Sequence, residues 1–187
     1  MTHYLDVHLL HDPEMPTHVL MAALFNKVHL VLTESGSKST GITFPEYRKK
    51  PPQLGGHLRL VGPSDALQRL LIRPWLGALQ DHTHLSPIKL IPSAVEHRNL
   101  RRVQIKSSPE RLRRRQMKRH GLSESDALTK IPDTAAKHLN LPFIHIKSSS
   151  TGQNFRLFFD LSEAQKPVYQ GTFNAYGLSS SLTIPWF

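Results

Sequence analysis

The apolar residues in the first half of the chain change period repeatedly, and the order of those periods limits the folds open to it. Tyr4–Leu10 alternates, with Leu5, Val7 and Leu9 on one side, which predicts a strand with one buried face. After the Asp12–Pro16 turn, Leu20, Leu24, Val28 and Val31 recur at helical spacing and predict a helix from about Thr17 to about Thr33. Ile42–Phe44 and Leu58–Val61 read as strands on either side of a Lys/Pro/Gly loop running from Glu46 to Gly56. Ser64 is placed to cap a second helix with Ala66, Leu67, Leu70 and Leu71 turned inward, and Ile88–Ile91 reads as a fourth strand. The order β-α-β-β-α-β predicts a ferredoxin-like domain over residues 1–95 of an α+β chain. That fold hosts many functions and selects none of them.

Residues 96–187 read as a second α+β domain. His97–Lys106 is extended, and Ser123–Asp126 opens a short helix with a capping-box pattern that Pro132 ends. Phe143–Ser148 and Asn154–Phe159 are strands joined by Ser149–Gln153, a hairpin signal. The tail carries Phe173, Tyr176–Ser179 and Pro185–Phe187, residue types that favour docking onto a core.

Between Arg98 and Arg119 lie ten basic residues against one acid, Glu110, so this stretch holds nine of the chain's net +10 charges. Its second half predicts a helix, with Ser108 at the N-cap, Pro109 at the first helical position, Glu110 in the first turn and Gly121 as the stop. Arg111, Arg114, Arg115, Lys118 and Arg119 share one face at helical spacing. Leu112 and Gln116 lie off that stripe. A solvated face would alternate its signs, and this one does not. An interfacial membrane helix needs a broad apolar face with aromatics, which is missing here. A phosphate-lined groove suits such a helix best.

An apolar content of 39%, with 8 Phe, 4 Tyr and 2 Trp, supports a real core. The chain has no Cys, which removes disulfides, thiol nucleophiles and thiolate zinc sites and suits the cytoplasm. Neither a signal peptide nor an apolar run of membrane-spanning length is apparent. The 14 acids are scattered, without the convergence that a metal-dependent nuclease needs. His82 and His84 are close in sequence but lack evident further ligands, so no metal or other cofactor is expected. Metal-free RNA cleavage stays open. It requires a base for the ribose 2′-hydroxyl, and histidine as a residue type suits that role. None of the 12 histidines stands out by composition or spacing, and a helical His29 is more often an ordinary surface residue.

At Arg101–Arg115 the sequence resembles the type I-F CRISPR-associated endoribonucleases that process precursor guide RNA. His3–Asp6, Leu24–Phe25 with Lys27 and His29, Arg73–Leu76, Ile131–Thr134, Ser150–Gln153 with Phe155–Leu157, Tyr176–Ser179 and Pro185–Phe187 continue the resemblance in register. It covers nearly the whole chain and is weakest over 36–56 and 160–170.

The resemblance implies a metal-independent enzyme that cuts at the 3′ base of a CRISPR repeat hairpin. The product RNA would stay bound and enter the surveillance complex with its other subunits. His29 would be the general base, Ser148 would hold the reacting ribose, and Tyr176 would orient the histidine, with Ser150 and Thr151 beside them. Arg102 and Gln104 would read the last stem pairs, since Arg matches guanine O6/N7 and Gln matches adenine N6/N7. Phe155 would stack under the terminal pair. The helix with Arg111, Arg114, Arg115, Lys118 and Arg119 would lie in the major groove, which is narrow in long A-form duplexes and opens at the end of a short stem. Lys118 departs from the arginine expected there and lacks its forked geometry. A hairpin binder without catalysis and a duplex-DNA regulator are the competing classes.

Overall fold

A computed structural model describes residues 1–72, 74–104, 109–132, 139–147, 152–166 and 168–187. By its internal contacts the chain forms two units, Met1–Val103 with Leu141–Phe187, and Gln104–Asn140. The chain is α+β.

In the larger unit, strand β1 (His3–Leu9) is followed by helix α1 (Thr17–Ser35) and strand β2 (Gly41–Thr43). A two-strand ribbon, β3 (Arg48–Lys49) and β4 (Pro52–Gln53), leads to β5 (His57–Gly62) and helix α2 (Ser64–Leu71). A 3-10 turn at Gly77–His82 then delivers β6 (Thr83–Leu85) and β7 (Lys89–Leu90). The sheet order is β2-β5-β1-β6, with β7 also pairing β1, and every pairing is antiparallel. Leu5 and Val7 on β1 are fully buried, as the alternation requires. On α1 the buried stripe is Leu20, Met21, Leu24, Phe25, Val28 and Leu32, and each large apolar side chain contributes about 1.5–3 kcal/mol by leaving water. Gly36, at φ 63°, ends the helix.

Four sequence expectations need correction. Leu71, expected to turn inward on α2, is exposed, and only Ala66, Leu67 and Leu70 of that helix are buried. Ser64 is the first helical residue of α2; Pro63 holds the N-cap position, and its side chain cannot accept a capping hydrogen bond. The strand expected over 88–91 shrinks to Lys89–Leu90, because Thr83–Leu85 also pairs with β1. The extended segment expected from His97 divides into β8 (Glu96–Arg98) and β9 (Leu100–Val103). Asn99 separates them: its buried side chain donates to the carbonyls of Ser179 and Leu182 at 3.2 and 2.6 Å, and its backbone N–H donates to Ser162 Oγ.

The smaller unit holds α3 (Pro109–His120) and α4 (Glu124–Lys130). Pro109 opens α3, while Ser108 lies outside the described residues. Gly121, at φ 62°, closes the helix by donating to the Met117 carbonyl at 2.9 Å. Ser123 caps α4, its side chain accepting from the Asp126 N–H.

The larger unit resumes with β10 (Phe143–Lys147), β11 (Asn154–Leu161) and β12 (Ile184–Trp186). The order β10-β11-β9 makes a second sheet, and β12 pairs with β8, so the tail is docked. The ring of Phe159 on β11 meets Phe25 of α1 at 5.5 Å and Phe44 at 5.1 Å, both edge-on. This aromatic joint fixes the second sheet against α1, one helical turn before His29.

Candidate nucleic-acid site

His29 follows Phe25 by four residues, so both rings leave α1 on the same face. Tyr176 lies across both. Its ring is 4.0 Å from that of His29 with planes 13° apart, and 6.2 Å from that of Phe25 with planes 11° apart. Stacking and the α1 backbone therefore leave the imidazole one plane.

Two acceptors decide which ring nitrogen carries the proton. The Ala175 carbonyl is 2.8 Å from Nδ1. Thr33 Oγ1 is 3.5 Å from it, and that hydroxyl already donates its own proton to the His29 carbonyl at 2.7 Å. A carbonyl and a committed hydroxyl can only accept, so Nδ1 bears the hydrogen, and the neutral form of the ring carries its lone pair on Nε2. In that form the half-buried ring is a proton acceptor at Nε2.

Arg102 on β9 extends the cluster. Its guanidinium lies 5.7 Å from the Tyr176 ring and 5.4 Å from that of Phe155 on β11. Arg102 Nε is buried and finds no acceptor among the described residues. Leu157 and Phe159 share a strand face with Phe155 and are fully buried, whereas Phe155 is half-buried at the open end of that face. The site thus sets a histidine base, a phenol, a guanidinium and a partly open aromatic ring along one path.

Ser148, Ser150 and Thr151 lie outside the described residues. Gln104 is exposed, beyond the end of β9, and belongs to the smaller unit. On α3, Arg111, Arg114, Arg115, Lys118 and Arg119 are all exposed, while Leu112, Gln116 and Met117 are half-buried. The stripe expected from spacing is therefore the solvent face. Glu110 neutralises part of it through Arg114 at 3.0 Å. Sequence reasoning missed Ala175 and Thr33. Thr33 carried a signal, standing four residues after His29; Ala175 acts through its backbone and carried none.

A potential cation group lies in the first sheet. Ligand atoms of Asp6, His8 and His57 fall within 4.8 Å of one another. Arg59 already grips both oxygens of Asp6, at 2.6 and 3.1 Å, and its fixed positive charge opposes a metal ion there. His82, the other candidate, pairs with Asp12 at 3.0 Å. Among the described residues no helix is long and apolar enough to cross a membrane.

Residues 4–187 match the family described as CRISPR-associated protein (Cas_Csy4). The chain belongs to this family. It is 46% identical over 187 residues to the CRISPR-associated endonuclease Cas6/Csy4 of Pseudomonas aeruginosa (strain UCBPP-PA14), an alignment that spans both chains completely. The protein of the same description from Escherichia coli (strain UTI89 / UPEC) is 41% identical, again over the full length of both. Kinship with Csy4 proteins runs through both units.

Proposed function

We propose that this chain is an endoribonuclease that binds a CRISPR repeat hairpin and cleaves precursor guide RNA at the 3′ base of the stem. The observation that carries the reading is the commitment of His29 Nδ1–H to the Ala175 carbonyl, which leaves Nε2 as a base. Nε2 takes the proton from a ribose 2′-hydroxyl, and that oxygen attacks the adjacent phosphorus. The P–O5′ bond breaks, giving a 2′,3′-cyclic phosphate and, once the leaving oxygen is protonated, a 5′-hydroxyl end. The step requires no metal, and the groups beside His29 are a phenol, a carbonyl and a hydroxyl. Tyr176 holds the imidazole plane, and Ser148 is proposed to hold the ribose.

The RNA contacts follow from side-chain chemistry. Arg102 offers a guanidinium for a guanine edge, Gln104 an amide for an adenine edge, and Phe155 a ring for the terminal pair. Ser150 and Thr151 are proposed to sit beside the cut, and α3 to lie in the opened major groove. Residues 1–95 supply the base, and residues 96–187 grip the RNA. The strand order β2-β5-β1-β6 supports assigning the former to the ferredoxin-like fold. Product retention in a type I-F surveillance complex with its other subunits, in the cytoplasm and without a cofactor, completes the proposal.

A hairpin with a single deoxyribose at the cut site tests the reaction. It should bind as well as the all-ribose hairpin and remain uncut; cleavage of it would refute 2′-hydroxyl attack. The helix is tested separately. Removing the charge of Lys118 or Arg119 should lower the slope of log K against log salt by about 0.7–0.9 for each phosphate released. An unchanged slope would place that residue off the RNA backbone.

A further inference from the structure

The Ala175 carbonyl and the Tyr176 ring, which meet His29 from outside its own helix, are neighbours in one turn. That turn is built around Asn174. Its side-chain Oδ1 accepts the N–H of Tyr176 at 2.8 Å and that of Leu178 at 3.2 Å. Its backbone N–H donates to the Leu178 carbonyl, and its carbonyl accepts from the Gly177 N–H, both at 2.9 Å. The turn is also anchored to the first sheet, where Ile42 N–H donates to the Gly177 carbonyl at 2.9 Å. Gly177 has φ +67°, and a Cβ there would stand 2.9 Å from Ile42 Cγ2, so no larger residue permits that approach. Leu178 is buried and seats the far end of the turn.

We infer that Asn174 is a positioning residue: by clamping residues 174–178 it aims the Ala175 carbonyl at His29 Nδ1 and so fixes the tautomer that leaves Nε2 basic. This rests on the reading of His29 as the general base. Helix α1 fixes only the Cα of His29. The ring's plane and its protonated nitrogen depend on a turn that is remote in sequence. Asn174 is exposed, so water can hydrate the two N–H groups if Oδ1 is removed. Its loss should therefore loosen the turn without unfolding the protein, and the Nδ1–H form of His29 should give way to a mixture of tautomers. An aspartate presents the same two-bond acceptor and should keep the turn.

The test uses the full chain, a repeat hairpin under single-turnover conditions, and the variants Asn174→Ala, Asn174→Asp and His29→Ala. Asn174→Ala should cut about tenfold more slowly, the size expected from losing one or two hydrogen bonds, with hairpin affinity within about twofold of the parent. The ¹⁵N signals of the His29 ring should move from a single Nδ1–H pattern to an averaged one. Asn174→Asp should restore the rate and keep the Nδ1–H pattern. The inference is overturned if Asn174→Ala cuts at the parental rate, or slows with the ring signals unchanged. It is also overturned if Asn174→Asp slows cutting and averages the ring signals, a result that stands even where the alanine variant folds poorly. His29→Ala separates the two ideas: continued cutting by that variant removes the base itself, whereas its inactivity beside a fully active Asn174→Ala removes only the clamp.

Discussion

Replacing His29 by alanine should slow cleavage of the repeat hairpin by about 10²–10⁴-fold, the usual contribution of a positioned general base. Hairpin affinity should be retained. The substitution deletes the imidazole stacked on Tyr176, and it leaves the Ala175 carbonyl accessible to water. The fold should survive, because α1 is held by Leu24, Phe25, Val28 and Leu32, all buried, and not by its half-buried histidine. Single-turnover cleavage and equilibrium binding, measured on one preparation, separate the two effects. An unchanged rate would remove His29 from the reaction, and a parallel loss of affinity would make it an RNA contact instead.

The second large effect concerns stability. Replacing Arg59 by alanine should destabilise the fold by about 3–5 kcal/mol, the cost of stranding one partner of a buried ion pair. The Arg59 and Asp6 side chains are only 8% and 12% exposed. Arg59 also donates to the Phe187 carbonyl at 2.6 Å and lies over the rings of Phe187 and Tyr4 at 3.9 and 4.6 Å, tying the last residue to the first strand. Burial pushes the Asp6 carboxyl upward, but hydrogen bonds and charge from His57 and Arg59 outweigh it and hold the group well below its ordinary 3.8. A carboxylate depressed in the folded state stabilises fully above its unfolded value and loses that contribution as the pH falls below it. His8 is likewise lowered from 6.5, first by burial and then by His57, so acid begins to erode stability below about that pH. Urea midpoints across pH should therefore fall in two steps for the parent, and Asp6→Asn should shrink the lower step, leaving the part from Asp12, whose carboxyl is also lowered by the N–H groups of Glu14 and Met15. A single step in the parent would contradict the depressed carboxyl.

Where structure depends on neighbours in sequence, the chain was legible. The alternation of β1, the apolar stripe of α1 and the cationic face of α3 are all properties of a few consecutive turns or residues, and each appears in the structure. Boundaries set by a distant partner were not. Thr83–Leu85 looks too short and polar for a strand until β1 lies beside it. Asn99 breaks an extended run only because the carbonyls of Ser179 and Leu182 are there to receive its side chain. The site shows the same division. From α1 alone His29 is one of 12 histidines, and what distinguishes it is a carbonyl 146 residues away, a feature that no side chain announces. The four-residue spacing of Phe25 and His29 was visible in the chain itself, whereas the Tyr176 ring that lies across both was indicated only by the family resemblance.

Proton removal by His29 requires no metal ion, so cleavage of the repeat hairpin in excess EDTA, with His29→Ala alongside and the product ends identified, is the decisive experiment. The expected result is one cut at the 3′ base of the stem, leaving a 2′,3′-cyclic phosphate and a 5′-hydroxyl, unaffected by the chelator and lost in the variant. Tight binding without a cut, or a cut that EDTA abolishes, would contradict it.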